Sequence, residues 1–215
     1  MDLESRGFEI IRKVLGPSQI EILISELSTG TNAGRRGIAV NPAIIELTDS
    51  APIRSLLPNQ ELRLVRAILF DKSPDANWPV AWHQDRMITV LEKKDVPGYG
   101  PWTFKEATHH VEPPARVLEA MVTIRLHLDN TPAENGALRV IPGSHLGGKL
   151  TPEQVASQNS PPQVVAACDA GDALLMKPLL LHSSPRAKRP SHRRVIHLEF
   201  ADLSQLDKPL IWKTF

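Results

Sequence analysis

The short run Trp82-His83-Gln84-Asp85 carries the residue types with the clearest chemistry. If residues 79–85 are extended, His83 and Asp85 point to one side, because side chains alternate along a strand. An imidazole nitrogen and a carboxylate oxygen can then bind one metal ion. His182 is the candidate third ligand. Two histidines and one carboxylate on one face of a metal leave three positions open, the arrangement of non-haem Fe(II) oxygenases. A bare His-x-Asp is a common pattern, and the chain holds a second, His127-Leu128-Asp129. The plain reading of either pair is a polar strand face. The first is preferred for its company: His182, then Arg193, then the stretch at 134–145. Asp129 precedes Asn130-Thr131-Pro132, a strand end where a partner for His127 would be poorly held.

Short strands must position these groups. Residues 7–15 read as a strand and 17–28 as a helix, with Ile20, Leu23, Ile24 and Leu27 on one face. Thr29-Gly30-Thr31-Asn32-Ala33-Gly34 reads as a loop, and a helix is expected around 49–57. This first quarter, residues 1–60, reads as helical packing support, with Arg36 a possible pocket cation. Strands are expected at 61–70, at 79–90, at 119–129, at 137–141, near 163–168, at 173–177 and at 193–201. Between 119 and 129 the alternation is clean: Met121, Thr123, Arg125, His127 and Asp129 share one face, and Val122, Ile124, Leu126 and Leu128 the other. The polar face either meets water or lines a cavity inside a barrel or sandwich. Residues 91–115 read as a long irregular connection. Such segments tend to be lids or binding loops, and Trp102 would be a natural pocket wall or a plug beneath the loop. His109 and His110 read as solvent-facing loop residues.

About eight short strands with Gly/Pro turns suit an antiparallel double-sheet jelly roll of cupin type, mainly β, with helices at the N-terminal end. The whole chain of 215 residues suits one domain, with the jelly-roll core over 61–203. Its 41% hydrophobic and 23% charged content is ordinary for a globular protein. A net charge of +1 makes no demand for nucleic acid or an anionic membrane. The 19 prolines favour turns and short strands over long helices. Cys168 is the single cysteine, so no intrachain disulfide forms, which is compatible with a reducing cytosol. The N-terminus lacks the apolar run of a signal peptide, and no run approaches the roughly 18 residues of a membrane span. A cytoplasmic location is therefore expected. No internal repeat is visible.

Four motifs together resemble the phytanoyl-CoA dioxygenase family. They are Trp82-His83-Gln84-Asp85, the stretch Glu134-Asn135-Gly136-Ala137-Leu138-Arg139-Val140-Ile141-Pro142-Gly143-Ser144-His145, Leu181-His182-Ser183-Ser184, and Arg193-Arg194-Val195-Ile196-His197. They come in the family's order, and the resemblance spans about residues 7–201. It implies an Fe(II)- and 2-oxoglutarate-dependent oxygenase on a double-stranded β-helix, with His83, Asp85 and His182 holding iron. It places Arg193 on the distal carboxylate of 2-oxoglutarate. A guanidinium offers a carboxylate a planar fork; Arg194 is the competing choice, pointing the other way on the strand. The resemblance also puts Ser184, Gln84 and Trp102 near the cosubstrate, although strand alternation alone aims Gln84 away from the metal.

The implied reaction consumes 2-oxoglutarate and O2, releases succinate and CO2, and hydroxylates an unactivated C–H bond. Asp85 as a ligand leaves no room for a halide, which favours hydroxylation over halogenation. Two other readings stand beside this one: a metal-dependent cupin that uses no 2-oxoglutarate, and an inert jelly-roll binding protein. Arg66, Arg86, Arg125 and His127 could recognise an acidic or amino-acid-like substrate if they face the cavity. Their plain reading is surface charge. The chain shows no added domain for a carrier, so the expected partner is a small metabolite or natural-product intermediate. Oligomeric state is not legible.

Overall fold

Period-two alternation in three central strands sets the architecture. A computed structural model of the protein describes residues 2–27, 34–157 and 162–214. Its strands are β1 (Phe8–Ile11), β2 (Gly34–Arg36), β3 (Arg63–Lys72), β4 (Val80–His83), β5 (Ile88–Val90), β6 (Trp102–Lys105), β7 (Thr108–Val111), β8 (Val122–His127), β9 (Leu138–Val140), β10 (Val164–Ala166), β11 (Ala173–Met176), β12 (His182–Ser184) and β13 (Arg193–Ala201). The helices are α1 (Leu3–Arg6), α2 (Pro17–Leu27), α3 (Pro42–Asp49), α4 (Ala51–Arg54), α5 (Ala115–Glu119) and α6 (Pro152–Ser157). A six-stranded sheet runs β1-β11-β8-β13-β3-β2, and a four-stranded sheet runs β10-β9-β12-β4. All their pairings are antiparallel. This is the expected double-sheet jelly roll with flanking helices.

The outward face of the large sheet is apolar. Ala67 and Leu69 of β3, Ile124 and Leu126 of β8, and Ile196 and Leu198 of β13 pack against Leu23 and Leu27 of α2, Ile44 and Leu47 of α3 and Ile53 of α4. Each such side chain, fully buried, contributes about 1.5–3 kcal/mol. Between the sheets, Phe8, Leu174 and Met176 meet Leu138, Val140 and Ala166, but only on the β1–β11 side. On β8, β13 and β3 the inward face carries Arg66, Lys72, Arg125, Arg193 and His197 among the apolar Ile68, Phe70 and Val195, and that is where the site forms.

Several expectations shift. The first strand stops at Ile11, because Lys13 takes a positive φ of 56°. The helix expected at 49–57 is the single turn of α4, and a further helix, α3, precedes it: Asn41 caps α3 by accepting from the Ala43 amide at 2.9 Å, and Ser50 turns extended before α4. Of the loop expected at 29–34, residues 29–33 lie outside the described residues, and Gly34 opens β2. Residues 91–115 are not a structureless lid. They contain the β6–β7 hairpin, which joins β5 in a three-stranded sheet ordered β5-β7-β6. Glu106 and Ala107 adopt φ of 50° and 54°, the left-handed pair a tight hairpin turn requires, without the glycine or asparagine that usually signals it. No described helix is long and apolar enough to cross a membrane.

Candidate metal and cosubstrate site

His83 and His182 are direct antiparallel partners on β4 and β12, so their rings lie side by side with centroids 4.2 Å apart. Asp85 reaches them by a different route from the one strand parity suggests. The expected strand at 79–90 is broken: β4 ends at His83 and β5 belongs to another sheet. The Asp85 amide donates to the Pro178 carbonyl at 2.9 Å, and this turn delivers the carboxylate to the imidazoles.

The three ligating groups lie within 4.8 Å of one another. His83 Nε2 is 3.7 Å from Asp85 Oδ1, and His182 Nε2 is 3.7 Å from Asp85 Oδ2. These separations are too long for hydrogen bonds but close to the ~3–4 Å between atoms that share one ion at about 2.1 Å. Each histidine donates its Nδ1–H to a carbonyl two residues back: Ala81 at 2.9 Å for His83 and Leu180 at 2.8 Å for His182. That fixes the tautomer and turns both Nε2 lone pairs toward Asp85. Asp85 Oδ2 is buried and has no hydrogen-bond partner among the described residues. Burial works to raise this carboxyl, but His182, His197, His83 and Arg66 outweigh it and hold it well below the usual carboxylate range. Burial pushes His182 down to about 4, so it is neutral at neutral pH and free to ligate. Two nitrogens and an anionic oxygen without a donor fit a divalent ion.

Beside this triad is a cavity of about 160 Å³. One end of it carries Arg193, Lys72 and Ser184. Arg193 donates to the Gly136 carbonyl through Nη1 and to Ser184 Oγ at 3.1 Å through Nη2. Lys72 Nζ donates to the same Ser184 oxygen at 3.1 Å and to the Trp78 carbonyl at 2.6 Å. Two cations thus converge on one hydroxyl with no carboxylate paired to either among the described residues. Burial, with Arg193 and Arg125 nearby, drives Lys72 down to about 7, and burial with Arg125 lowers Arg193 to about 10. The arrangement can receive a carboxylate.

The remaining candidates divide. Arg66 and Arg125 line the cavity. Arg66 is paired with Glu199. His127 is not a lining residue; it is buried behind, with its Nδ1 3.0 Å from Thr131 Oγ1, and burial pushes it down to about 3. The Gln84 amide donates to the Leu179 carbonyl at 2.7 Å and the Gly148 carbonyl at 2.9 Å and accepts from the Leu150 amide at 2.9 Å. It braces the backbone and does not line the cavity, as alternation alone suggests. Trp102 sits on β6 opposite Val111 of β7 and packs against a separate core. Arg86 pairs with Glu112 at 2.5 Å, and Arg36 with Glu106 at 2.9 Å, both outside the metal cavity. Asp129, of the second His-x-Asp pair, is held by Arg194 through Nε at 2.8 Å and Nη2 at 2.7 Å. Arg194 therefore faces away from the cavity and Arg193 into it. His110, expected in solvent, is buried on β7.

Lys72, His197 and Glu199 escaped the residue-by-residue reading. Parity from Arg193 reaches Val195, His197 and Glu199 inside the expected strand at 193–201, whereas parity from Arg66 reaches Ile68 and Phe70, and Lys72 lies two residues past the expected strand end at 70, where β3 in fact continues.

This fold and this His-Asp-His cluster define a class of metal-binding jelly roll. The chain belongs to the phytanoyl-CoA dioxygenase family, whose model matches residues 4–195. A comparison with curated protein sequences finds no significant match. Among solved structures, the chain is similar to SnoN, a non-haem α-ketoglutarate-dependent epimerase from nogalamycin biosynthesis, at 18% identity and a TM-score of 0.69, over 94% of this chain and 80% of that one. It is similar to HygX from Streptomyces hygroscopicus, solved with nickel, 2-oxoglutarate and hygromycin B, at 19% identity and a TM-score of 0.63, over 93% of this chain and 84% of that one. It is also similar to AviO1 from Streptomyces viridochromogenes Tue57, at 20% identity and a TM-score of 0.67, over 97% and 95% of the two chains.

Proposed function

We propose that the protein is an Fe(II)- and 2-oxoglutarate-dependent dioxygenase. In this reading it hydroxylates an unactivated C–H bond of a small metabolite or natural-product intermediate, releasing succinate and CO2. The observation that carries this is one cavity lined by both His83-Asp85-His182 and the Arg193-Lys72-Ser184 cradle. Iron held by the triad would supply O2 activation coupled to oxidative decarboxylation of 2-oxoglutarate.

The side chains around it have separate tasks. His83 Nε2, His182 Nε2 and the Asp85 carboxylate bind the ion, with both rings locked by their Nδ1 hydrogen bonds. Arg193 offers its fork to the distal carboxylate of 2-oxoglutarate, and the Gly136 carbonyl fixes that guanidinium in place. Ser184 and Lys72 complete the contact from either side. Phe70, Trp78, Leu138 and Val195 wall the space and exclude water.

The relatives SnoN and HygX, with nogalamycin and hygromycin B in their descriptions, favour a small-molecule substrate. Because SnoN is an epimerase, the fold leaves the outcome at carbon open. Hydroxylation is supported by where the best hydrogen-atom donors lie. Tyr99, the one tyrosine of the chain, is bound to Asp207 at 3.1 Å, and Cys168 is buried in the apolar layer. Neither lines the metal cavity.

The test is anaerobic addition of Fe(II) and 2-oxoglutarate. A weak visible charge-transfer band is expected in the wild type, and its loss in Arg193→Gln at matched concentrations. No band in the wild type would favour a metal-binding cupin without 2-oxoglutarate, or an inert binding protein.

A further inference from the structure

Four cationic side chains line the metal cavity: Arg66, Lys72, Arg125 and Arg193. Glu199 is committed to Arg66, and Asp85 to the metal triad. If the proposed function holds, Lys72 and Arg193 take one carboxylate of 2-oxoglutarate. Arg125 is then left over. It has no carboxylate within pairing distance among the described residues. Its hydrogen-bond partner is His197 Nδ1 at 2.9 Å, and the Phe70 ring lies 5.5 Å away. Its Nε is buried and unpartnered among the described residues. A guanidinium cannot accept, so His197 Nδ1 must, and His197 Nε2–H then donates to Glu199 at 3.0 Å. The chain Arg66–Glu199–His197 thus holds the Arg125 fork at a set place from behind. An unpaired buried charge is costly, and a protein that builds a scaffold to keep one has a use for it.

Charge balance names the missing partner. The four cations and a divalent ion face two protein carboxylates and the two of 2-oxoglutarate, which leaves two positive charges uncompensated. We propose that Arg125 recognises a carboxylate of the primary substrate, so the enzyme acts on a small carboxylic acid. This rests on the proposed function and names its substrate class. His197 is a positioning residue that orients the fork.

The test uses Mn(II)-loaded protein saturated with 2-oxoglutarate, and thermal melting with acetate, hexanoate and phenylacetate beside the matching primary amides. The acids should raise the melting temperature and the amides should not. Arg125→Gln should abolish that difference, and Arg125→Lys, which keeps the charge but not the fork, should retain part of it. The calorimetric 2-oxoglutarate Kd of Arg125→Gln should rise less than about fivefold, against about a hundredfold for Arg193→Gln, since charge-assisted forks are the strong hydrogen bonds. Equal effects of acids and amides on the wild type overturn the proposal, as does a difference that survives in Arg125→Gln. A tenfold or greater loss of 2-oxoglutarate affinity in Arg125→Gln would assign the residue to the cosubstrate and also overturn it. If Arg125→Gln does not fold, the wild-type comparison and Arg125→Lys decide. Failure of the wild type to bind 2-oxoglutarate would instead overturn the proposed function.

Discussion

Replacing Lys72 by Met tests the cosubstrate cradle through a readout that packing alone would not move. Met fills similar volume and removes only the ammonium. Opposite charges about 4 Å apart attract by about 4 kcal/mol at an effective dielectric of 20, and a hydrogen bond to a charged group is worth about 1.5–3 kcal/mol net. The 2-oxoglutarate Kd should therefore rise about ten- to a hundredfold. The pH dependence is sharper evidence. Burial, then Arg193 and Arg125, bring Lys72 down to about 7. A bound carboxylate restores it toward the ordinary lysine range near 10.4, so binding takes up a proton wherever the free site is deprotonated. Above pH 7 the affinity must then fall, by about tenfold between pH 7 and pH 8.5. Calorimetry on the Mn(II) protein at both pH values, in two buffers of different ionisation enthalpy, measures Kd and proton uptake together. A wild-type Kd that is flat with pH, or a slope that persists in Lys72→Met, would refute the placement of Lys72 on the carboxylate.

Three further outcomes follow from buried groups. Gln84→Leu leaves the Leu150 amide and two carbonyls without partners and should cost about 3 kcal/mol in urea unfolding, with 2-oxoglutarate affinity changed less than about threefold; unchanged stability with lost affinity would return Gln84 to the cosubstrate. Gly136 has a φ of 71°, and an added Cβ would sit 2.7 Å from the Pro185 carbonyl, so Gly136→Ala should shift the carbonyl that holds Arg193 and weaken 2-oxoglutarate binding by about tenfold at a strain cost of about 1–2 kcal/mol. His127, brought down to about 3 by burial, then by Arg125 and Arg193, binds fewer protons folded than unfolded below its ordinary value of about 6.5. Its contribution is present above pH 6.5 and is lost as pH falls toward 3, amounting to about 2–3 kcal/mol by pH 4.5; His127→Gln should flatten that acid slope in unfolding measurements.

The jelly roll is legible because β8 alternates without interruption, its polar face inward and its apolar face on the helices, among about eight short strands with Gly/Pro turns. The family motifs put His83, Asp85, His182 and Arg193 in view. How Asp85 gets there was not legible, since it depends on the Asp85–Pro178 backbone bond between segments far apart in the chain. Parity suggested the right neighbours for the wrong reason. The β6–β7 hairpin was hidden because Glu106-Ala107 carries no turn signal. Trp102 is drawn toward the site by its ring and by the family resemblance, and Arg86 by its charge. Packing against the core beneath β5–β7 for the one and pairing with Glu112 for the other are tertiary facts that composition does not carry. Lys72 is not legible because the apolar run that marks the strand ends at Phe70, while β3 continues through Asp71 and Lys72 by pairing with β13.

A crystal structure of the protein soaked anaerobically with Mn(II) and 2-oxoglutarate bears most directly on the whole account. A single ion bound by Nε2 of His83, the carboxylate of Asp85 and Nε2 of His182, with the far carboxylate of the keto acid on Arg193, is the expected result. An ion bound elsewhere, or 2-oxoglutarate seated away from Arg193, would contradict it.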